Sequence, residues 1–190
     1  MVSSIAQVFW TVNVLSQAIA AGFAFSYVVV FGSFLQWTIR RRNWEFFTEQ
    51  YAPFRRKLKV RRTYFAFLPV GPLLVAVLSL IANHGRHALL PQVLAVVFFP
   101  LYLALAHIPT GFAKLEEQVN SGHPIDDERQ IATYLRWNLP LHILLGSLYA
   151  VVAADPDCPL APGLTAPRCF TTSNTFPNPL NAGLAAHGFR

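Results

Sequence analysis

Four long stretches of the chain contain no charged residue. They cover residues 1–39, 63–85, 87–113 and 137–154. A hydrocarbon core about 30 Å thick needs roughly 20 apolar residues in a helix, and each stretch is long enough once its ends reach the interface. The pattern therefore predicts four transmembrane helices, near residues 5–39, 64–83, 88–112 and 131–154.

The composition agrees with a membrane protein. Of the 190 residues, 54% are hydrophobic and only 13% are charged, about half the charged fraction that is usual in a soluble domain. A single secretory signal peptide would explain only the first stretch. The expected fold class is an all-α integral membrane bundle of four transmembrane helices over residues 1–154, followed by an irregular, proline-rich tail over 155–190.

The positive charges are concentrated in one loop. Nine of the fifteen Lys and Arg residues lie between residues 40 and 62, and the positive-inside rule predicts that this loop is cytosolic. The charges then either fix the topology and contact anionic headgroups or form a docking surface for an acidic ligand or partner. Aromatic residues among the charges favour a helix lying in the headgroups. With four spans around the loop, a nucleic-acid partner is not expected.

The same topology places the C-terminal tail on the lumenal or extracellular side. Cys158 and Cys169 are the two cysteines of the chain, and both lie in this tail. An oxidising compartment favours a disulfide between them, although nothing in the sequence fixes their geometry, so bonded and free thiols both stay open.

Few polar groups are available for chemistry inside the predicted membrane segments. His107 near the end of the third helix and His142 one turn into the fourth are expected at the same depth, and Asn138 shares a helical face with His142. Ionisable residues in a membrane are costly and are often functional. These three are the candidate catalytic residues.

Three aromatic side chains belong to the same leaflet as the histidines. Trp137, Trp37 and Tyr64 are the candidate substrate-binding residues, and together with the histidines they predict a pocket in the cytosolic half of the bundle. The alternative reading stays open: the histidines bond helix carbonyls near the interface, the aromatics form the usual interfacial belt, and Asn138 joins two helices.

No metal site is expected. Non-haem iron and copper sites need three or more His or carboxylate ligands in a defined cluster, and the histidines show no such array. The acidic pairs Glu116-Glu117 and Asp126-Asp127 are interpreted as solvated residues near helix ends.

Three short motifs and a glycine follow one another in the second half of the chain. They are HIPT at 107–110, DDE at 126–128, LRWNLPLH at 135–142 and Gly146. This succession resembles the second half of the small four-helix membrane proteins that include the anthrone oxygenases. The resemblance implies oxidation of an anthrone-like aromatic polyketide in secondary metabolism, with molecular oxygen as co-substrate and no metal or organic cofactor.

Cofactor-free oxidation is chemically reasonable for such a substrate. An anthrone ionises to an electron-rich carbanion that can pass electrons to oxygen, so the protein needs a base and a stabiliser for the developing oxyanion. A neutral histidine suits the first role because its ordinary pKa lies near working pH, and Asn138 suits the second.

A non-enzymatic protein is the competing hypothesis. A small membrane scaffold, an accessory subunit or a lipid-binding protein would use the same histidines only for packing. The expected partners under the first hypothesis are the lipid bilayer and a small hydrophobic aromatic substrate; the oligomeric state and the organelle are not indicated.

Overall fold

A computed structural model of the chain describes residues 2–85 and 89–154. Within these residues every regular element is helical and no β-strand is present, which confirms the all-α class. The helices are the first long helix (Val2–Ser26, Tyr27–Gly32 and Ser33–Arg40), the loop helix (Phe46–Tyr51 and Ala52–Lys57), the second long helix (Val60–Phe65, Ala66–Val70 and Gly71–Asn83), the third long helix (Leu89–Tyr102 and Leu103–His107), the connecting helix (Phe112–Asn120) and the last helix (Glu128–Ala153). The predicted tail, with Cys158 and Cys169, lies outside the described residues.

Three helices of the described chain are long and apolar enough to cross a membrane. They are Ile5–Arg40 with 36 residues, Val60–Asn83 with 24 and Leu89–His107 with 19. This is consistent with an integral membrane protein. The last helix is not among them, because its uncharged part begins only at Trp137 and contains the polar residues Asn138 and His142. The fourth span therefore stays a prediction.

The long helices pack around a shared interior. The first long helix packs against the last and the second, and the third packs against the second and the last. One buried cluster lies toward the end of the bundle that carries the loop helix; its members are Leu35, Ile39, Phe47, Tyr51, Tyr102, Phe112, Leu115, Val119, Ile125, Ile131, Tyr134 and Leu141. A second cluster joins the three candidate spans to the last helix and contains Ala20, Ala21, Leu68, Phe98 and Tyr149.

The third long helix is shorter than the predicted 88–112. It ends at His107, where the Thr110 hydroxyl donates a hydrogen bond to the His107 carbonyl oxygen at 2.9 Å. Pro109 follows, and Gly111 adopts a left-handed conformation with φ of +72°. A left-handed residue cannot continue a helix, so a separate connecting helix begins at Phe112.

The basic loop folds onto the bundle. Phe47 and Tyr51 of the loop helix are buried in the main cluster. Gly122, in the turn after the connecting helix, packs closely against the loop helix, because a Cβ on Gly122 would lie 2.8 Å from Ala52 Cβ. The Thr48 hydroxyl also donates to the Gly122 carbonyl oxygen at 3.1 Å. The loop helix is thus part of the protein core.

Four π-helical turns interrupt the helices of the described chain. They are Tyr27–Gly32, Phe46–Tyr51, Ala66–Val70 and Leu103–His107. Pro69 lies inside the third turn, and proline removes a backbone donor from a helix. The other three turns carry Tyr27, Tyr51 and His107. Turns of this kind are frequent at functional sites, and these three place side chains at the site described next.

Candidate functional site

A cavity of about 430 Å³ opens beside the first π-helical turn, between the first long helix, the loop helix, the second long helix and the connecting helix. Its walls are largely aromatic, and its polar groups include two arginines and two glutamates. The lining residues are Phe23, Ser26, Tyr27, Val30, Phe31, Tyr51, Phe54, Arg55, Val60, Arg61, Tyr64, Phe65, Glu116, Glu117 and Asn120. An apolar cavity with a few polar groups is the usual form of a small-molecule site. We call it the aromatic cavity.

A chain of hydrogen bonds forms one polar wall of the aromatic cavity. Arg55 Nη1 donates to the Tyr51 hydroxyl oxygen at 3.0 Å, and the Tyr51 hydroxyl donates to Asn120 Oδ1 at 3.1 Å. Burial raises the pKa of the Tyr51 phenol above its ordinary value, and the Arg55 guanidinium partly offsets that rise. The phenol therefore stays protonated at neutral pH, and Arg55 brings a fixed positive charge to this wall.

Glu116 brings a carboxylate to the aromatic cavity. Its side chain is 29% exposed, and its Oε2 lies 3.5 Å from His107 Nε2. This distance allows an ion pair when the imidazole is protonated. Glu116 was interpreted from the sequence as a solvated residue, but it follows Phe112 by four residues. That spacing places both on one face of the connecting helix, and Phe112 is fully buried. The spacing was the signal that could have identified it.

His142 and Asn138 lie behind Tyr27. The imidazole of His142 stacks on the Tyr27 ring with centroids 4.0 Å apart and planes 23° apart. His142 Nδ1 lies 2.7 Å from the Asn138 carbonyl oxygen. Because a carbonyl oxygen only accepts, Nδ1 carries the proton in this hydrogen bond. The imidazole is thus held by its own helix and by a cavity wall residue.

The Asn138 side chain joins the last helix to the first. Its Oδ1 accepts a hydrogen bond from the Tyr27 hydroxyl at 3.0 Å, and its Nδ2 donates to the Gly32 carbonyl oxygen at 3.3 Å. The residue is fully buried. Interhelical hydrogen bonds of this kind hold membrane helices together. Asn138 therefore fixes the orientation of the Tyr27 ring in the cavity wall.

Both candidate histidines contact the ring of Phe112. Phe112 packs edge-on against His107, with centroids 5.6 Å apart, and against His142, with centroids 6.2 Å apart. Neither histidine nor Asn138 belongs to the lining of the aromatic cavity. The aromatic cavity is therefore not the shared pocket that was expected, and a cavity wall common to the three stays a prediction.

The three candidate substrate-binding aromatics occupy different surroundings. Tyr64 lines the aromatic cavity and packs edge-on against Phe23 with centroids 5.6 Å apart. Trp37 is 49% exposed, and the Arg41 guanidinium lies 4.5 Å from its ring centre. Trp137 packs at the edge of the main buried cluster. Of the three, only Tyr64 reaches the cavity.

No group of three or more His, Cys, Asp or Glu side chains that could hold a metal is present in the described part of the chain. The pair of His107 and Glu116 offers two donors. A catalytic zinc or iron site needs three protein ligands with an open position. The lining of the aromatic cavity offers carboxylate, guanidinium, hydroxyl and amide groups.

No family model, curated protein or solved structure matches this chain.

Proposed function

We propose that the protein is a membrane enzyme that binds a flat aromatic ketone and removes a proton from its acidic carbon, as the anthrone-oxygenase resemblance implies. One observation carries the proposal. A carboxylate, Glu116, and a guanidinium, Arg55, line the same aromatic-walled cavity. Removal of a proton next to a carbonyl needs a base for the proton and a positive or hydrogen-bonding group for the oxyanion.

The roles follow from the chemistry of these groups. Glu116 takes the proton from the acidic carbon, and the negative charge moves to the ketone oxygen of the substrate. Arg55 and the Tyr51 hydroxyl stabilise that oxyanion. His107 is a positioning residue, because it acts on the substrate only through the Glu116 carboxylate 3.5 Å away. The proposed base is therefore Glu116, whereas the sequence favoured His107 or His142 for this role.

Aromatic side chains hold the substrate in place. Phe23, Phe31 and Tyr64 line the cavity and offer stacking and edge contacts to a flat polycyclic molecule. The apolar walls also exclude water, which strengthens the electrostatic interactions at the polar end.

Molecular oxygen is the oxidant in this proposal. The carbanion carbon bonds to one atom of O₂, and the resulting peroxide takes up a proton to give a hydroperoxide. Loss of the second C–H proton then breaks the O–O bond, so that the CH₂ group of an anthrone becomes C=O and the other oxygen atom leaves as water. The overall balance is anthrone plus O₂ giving anthraquinone plus water. The carbanion supplies the electrons, so the protein contributes binding, proton transfer and charge stabilisation.

The proposed topology places the aromatic cavity relative to the membrane. The last helix forms the fourth span, supported by its 26-residue length and its packing against the first long helix. The basic loop faces the cytosol, supported by the positive-inside rule. The aromatic cavity would then lie near the cytosolic surface, within reach of a substrate dissolved in the membrane.

A specific observation favours the non-enzymatic alternative. Asn138 and His142 are buried and bonded within the bundle, as packing residues would be. A protein that only binds an aromatic or lipid-like molecule would use the same cavity without turnover.

Oxygen uptake separates the two functions. Membranes that carry the full chain are supplied with an anthrone, and one O₂ should be consumed per quinone formed. Glu116→Gln should lower the rate about 10²–10⁴-fold, the usual contribution of a positioned general base. Glu49→Gln is the matched control, because Glu49 is an exposed carboxylate of the loop helix outside the cavity lining.

A second pair of variants tests the oxyanion group. Arg55→Gln should slow turnover about 10²-fold or more, as the loss of one oxyanion donor does, whereas Arg56→Gln should not, because Arg56 is outside the aromatic cavity. A chelator should leave the rate unchanged. Binding of an anthrone without oxygen uptake would support the non-enzymatic protein.

A further inference from the structure

A second cavity, of about 500 Å³, lies next to the aromatic cavity and is strongly basic. Five of its lining side chains are cationic and one is acidic; the lining residues are Arg55, Arg56, Lys59, Arg61, Arg62, Phe65, Glu117, Asn120 and Ser121. We call it the basic cavity. Such a concentration of one charge raises the local concentration of anions.

The turn between the loop helix and the second long helix creates the basic cavity. Lys59 adopts a left-handed conformation with φ of +50°, so the chain reverses direction there. The reversal brings Arg55 and Arg56 from one helix to the same side as Arg61 and Arg62 from the other. A left-handed conformation is unfavourable for any residue with a Cβ, and such strained positions cluster at functional sites. Glycine would adopt this conformation without strain, but Lys59 adds a positive charge at the turn.

The basic cavity lies at one end of a helix that is long and apolar enough to cross a membrane. The candidate span Val60–Asn83 begins beside it. Phe65 lines the cavity and is 61% exposed, and the neighbouring Leu58 is 57% exposed. A ligand at this position would contact cations at one end and apolar side chains at the other. Phospholipids have this amphipathic character, whereas a free phosphate does not.

The cations are suited to phosphate. Four of the five are arginines, whose planar guanidinium groups form paired hydrogen bonds with phosphate oxygens. The ion pair between Arg61 Nη1 and Glu117 Oε1, at 2.8 Å, is exposed on both sides, at 78% and 53%. Exposed ion pairs contribute little to stability, so an incoming phosphate can replace Glu117 as the partner of Arg61.

We propose that the basic cavity binds the phosphate of an anionic phospholipid whose headgroup ends in a phosphate monoester. The phosphate contacts the arginines, and the acyl chains follow the apolar surface of the second long helix beside Phe65. The basic cavity shares Arg55 and Arg61 with the aromatic cavity, whereas Arg56, Lys59 and Arg62 line the basic cavity alone. Variants of these three residues therefore test lipid binding apart from the proposed catalytic function.

Lipid titration of the purified full chain tests the proposal. The protein in neutral detergent is mixed with dioctanoyl phosphatidic acid, and the bound lipid is counted by native mass spectrometry. Dioctanoyl phosphatidylcholine is the neutral lipid control, and glycerol 3-phosphate is the soluble headgroup control. Phosphatidic acid should bind more tightly than either. Equal binding of glycerol 3-phosphate would overturn the assignment to a lipid.

Charge-matched double variants locate the site. Arg56→Gln with Arg62→Gln removes two cations of the basic cavity and should weaken phosphatidic acid binding about 30-fold, from roughly 1 kcal/mol per cation near an anionic surface. Arg40→Gln with Arg41→Gln removes the same charge at the other end of the loop and should leave the affinity close to wild type. Equal losses in both double variants, or none in the first, would overturn the proposal.

Lys59→Gly separates a ligand role from a structural one. Glycine adopts the left-handed conformation without strain, so the thermal midpoint should be equal to or above that of the wild type. Binding of phosphatidic acid should nevertheless weaken about 5-fold, from the loss of one cation. Full affinity in this variant would contradict a role for Lys59 in the site.

Discussion

Replacement of Gly32 by alanine tests the contact between the first and last helices most sharply. A Cβ at this position would lie 2.6 Å from Tyr27 Cε1 and 2.9 Å from Leu139 Cδ2. Carbon atoms in favourable contact are about 3.5–4.0 Å apart, so the Tyr27 ring must move by about 1 Å. That movement disturbs both the stacking on His142 and the hydrogen bond to Asn138.

The cost can be estimated from these contacts. Overpacking of a tightly packed site costs about 1–3 kcal/mol. Loss of the 3.0 Å hydrogen bond between Tyr27 and Asn138 adds about 1 kcal/mol, because the buried amide loses a partner. We therefore expect Gly32→Ala to lower the free energy of unfolding by about 2–4 kcal/mol.

Unfolding of the full chain in mixed micelles with increasing dodecyl sulfate, followed by helical circular dichroism, measures this change. Gly22→Ala is the matched control, because a Cβ there has no neighbour within 4 Å and alanine favours helix by about 0.5–1 kcal/mol over glycine. In a Tyr27→Ala background the cost of Gly32→Ala should fall by at least about 1 kcal/mol, since the main clash is gone. A Gly32→Ala protein as stable as Gly22→Ala, or a cost unchanged in that background, would refute the reasoning.

Three further substitutions should have measurable effects on unfolding in the same micelle assay. Gly122→Ala should cost roughly 1–3 kcal/mol more than Gly111→Ala, because both glycines have positive φ but only Gly122 has a neighbouring Cβ at 2.8 Å. Asp127→Ala should cost about 1 kcal/mol, since Asp127 Oδ1 accepts from the backbone N–H of Arg129 at 2.8 Å, and hydrogen exchange in the first turn of the last helix should rise. Asn138→Ala should cost about 1–3 kcal/mol and should increase exchange at the Gly32 turn.

The positions of the long helices could be read from the charge pattern. The gaps between charged residues predicted the first two helices to within a few residues, since membrane insertion leaves few alternatives for long apolar stretches. The end of the third helix was placed five residues too late. The left-handed Gly111 interrupts the helix, whereas the uncharged stretch continues to Ala113 and so predicts a longer helix.

The candidate site was harder to predict because it depends on how the loop packs. Charge alone suggested that residues 40–62 stay at the surface, yet Phe47 and Tyr51 enter the core. Their docking brings Arg55 to the cavity wall, and the fold of the connecting helix brings Glu116. Long-range packing of this kind leaves no periodic signal in the chain. His107 and His142 stand out in the sequence as polar groups in apolar stretches, whereas Glu116 lies in a segment rich in other charged residues.

Anaerobic hydrogen–deuterium exchange at the acidic CH₂ of an anthrone tests the central claim most directly, because it reports proton removal without the later reaction with oxygen. Membranes that carry the wild-type chain, suspended in D₂O, should exchange this carbon faster than membranes without it. Glu116→Gln should lower the protein-dependent exchange about 10²–10⁴-fold, and Glu49→Gln should leave it unchanged. Wild-type exchange no faster than that of Glu116→Gln would contradict the account.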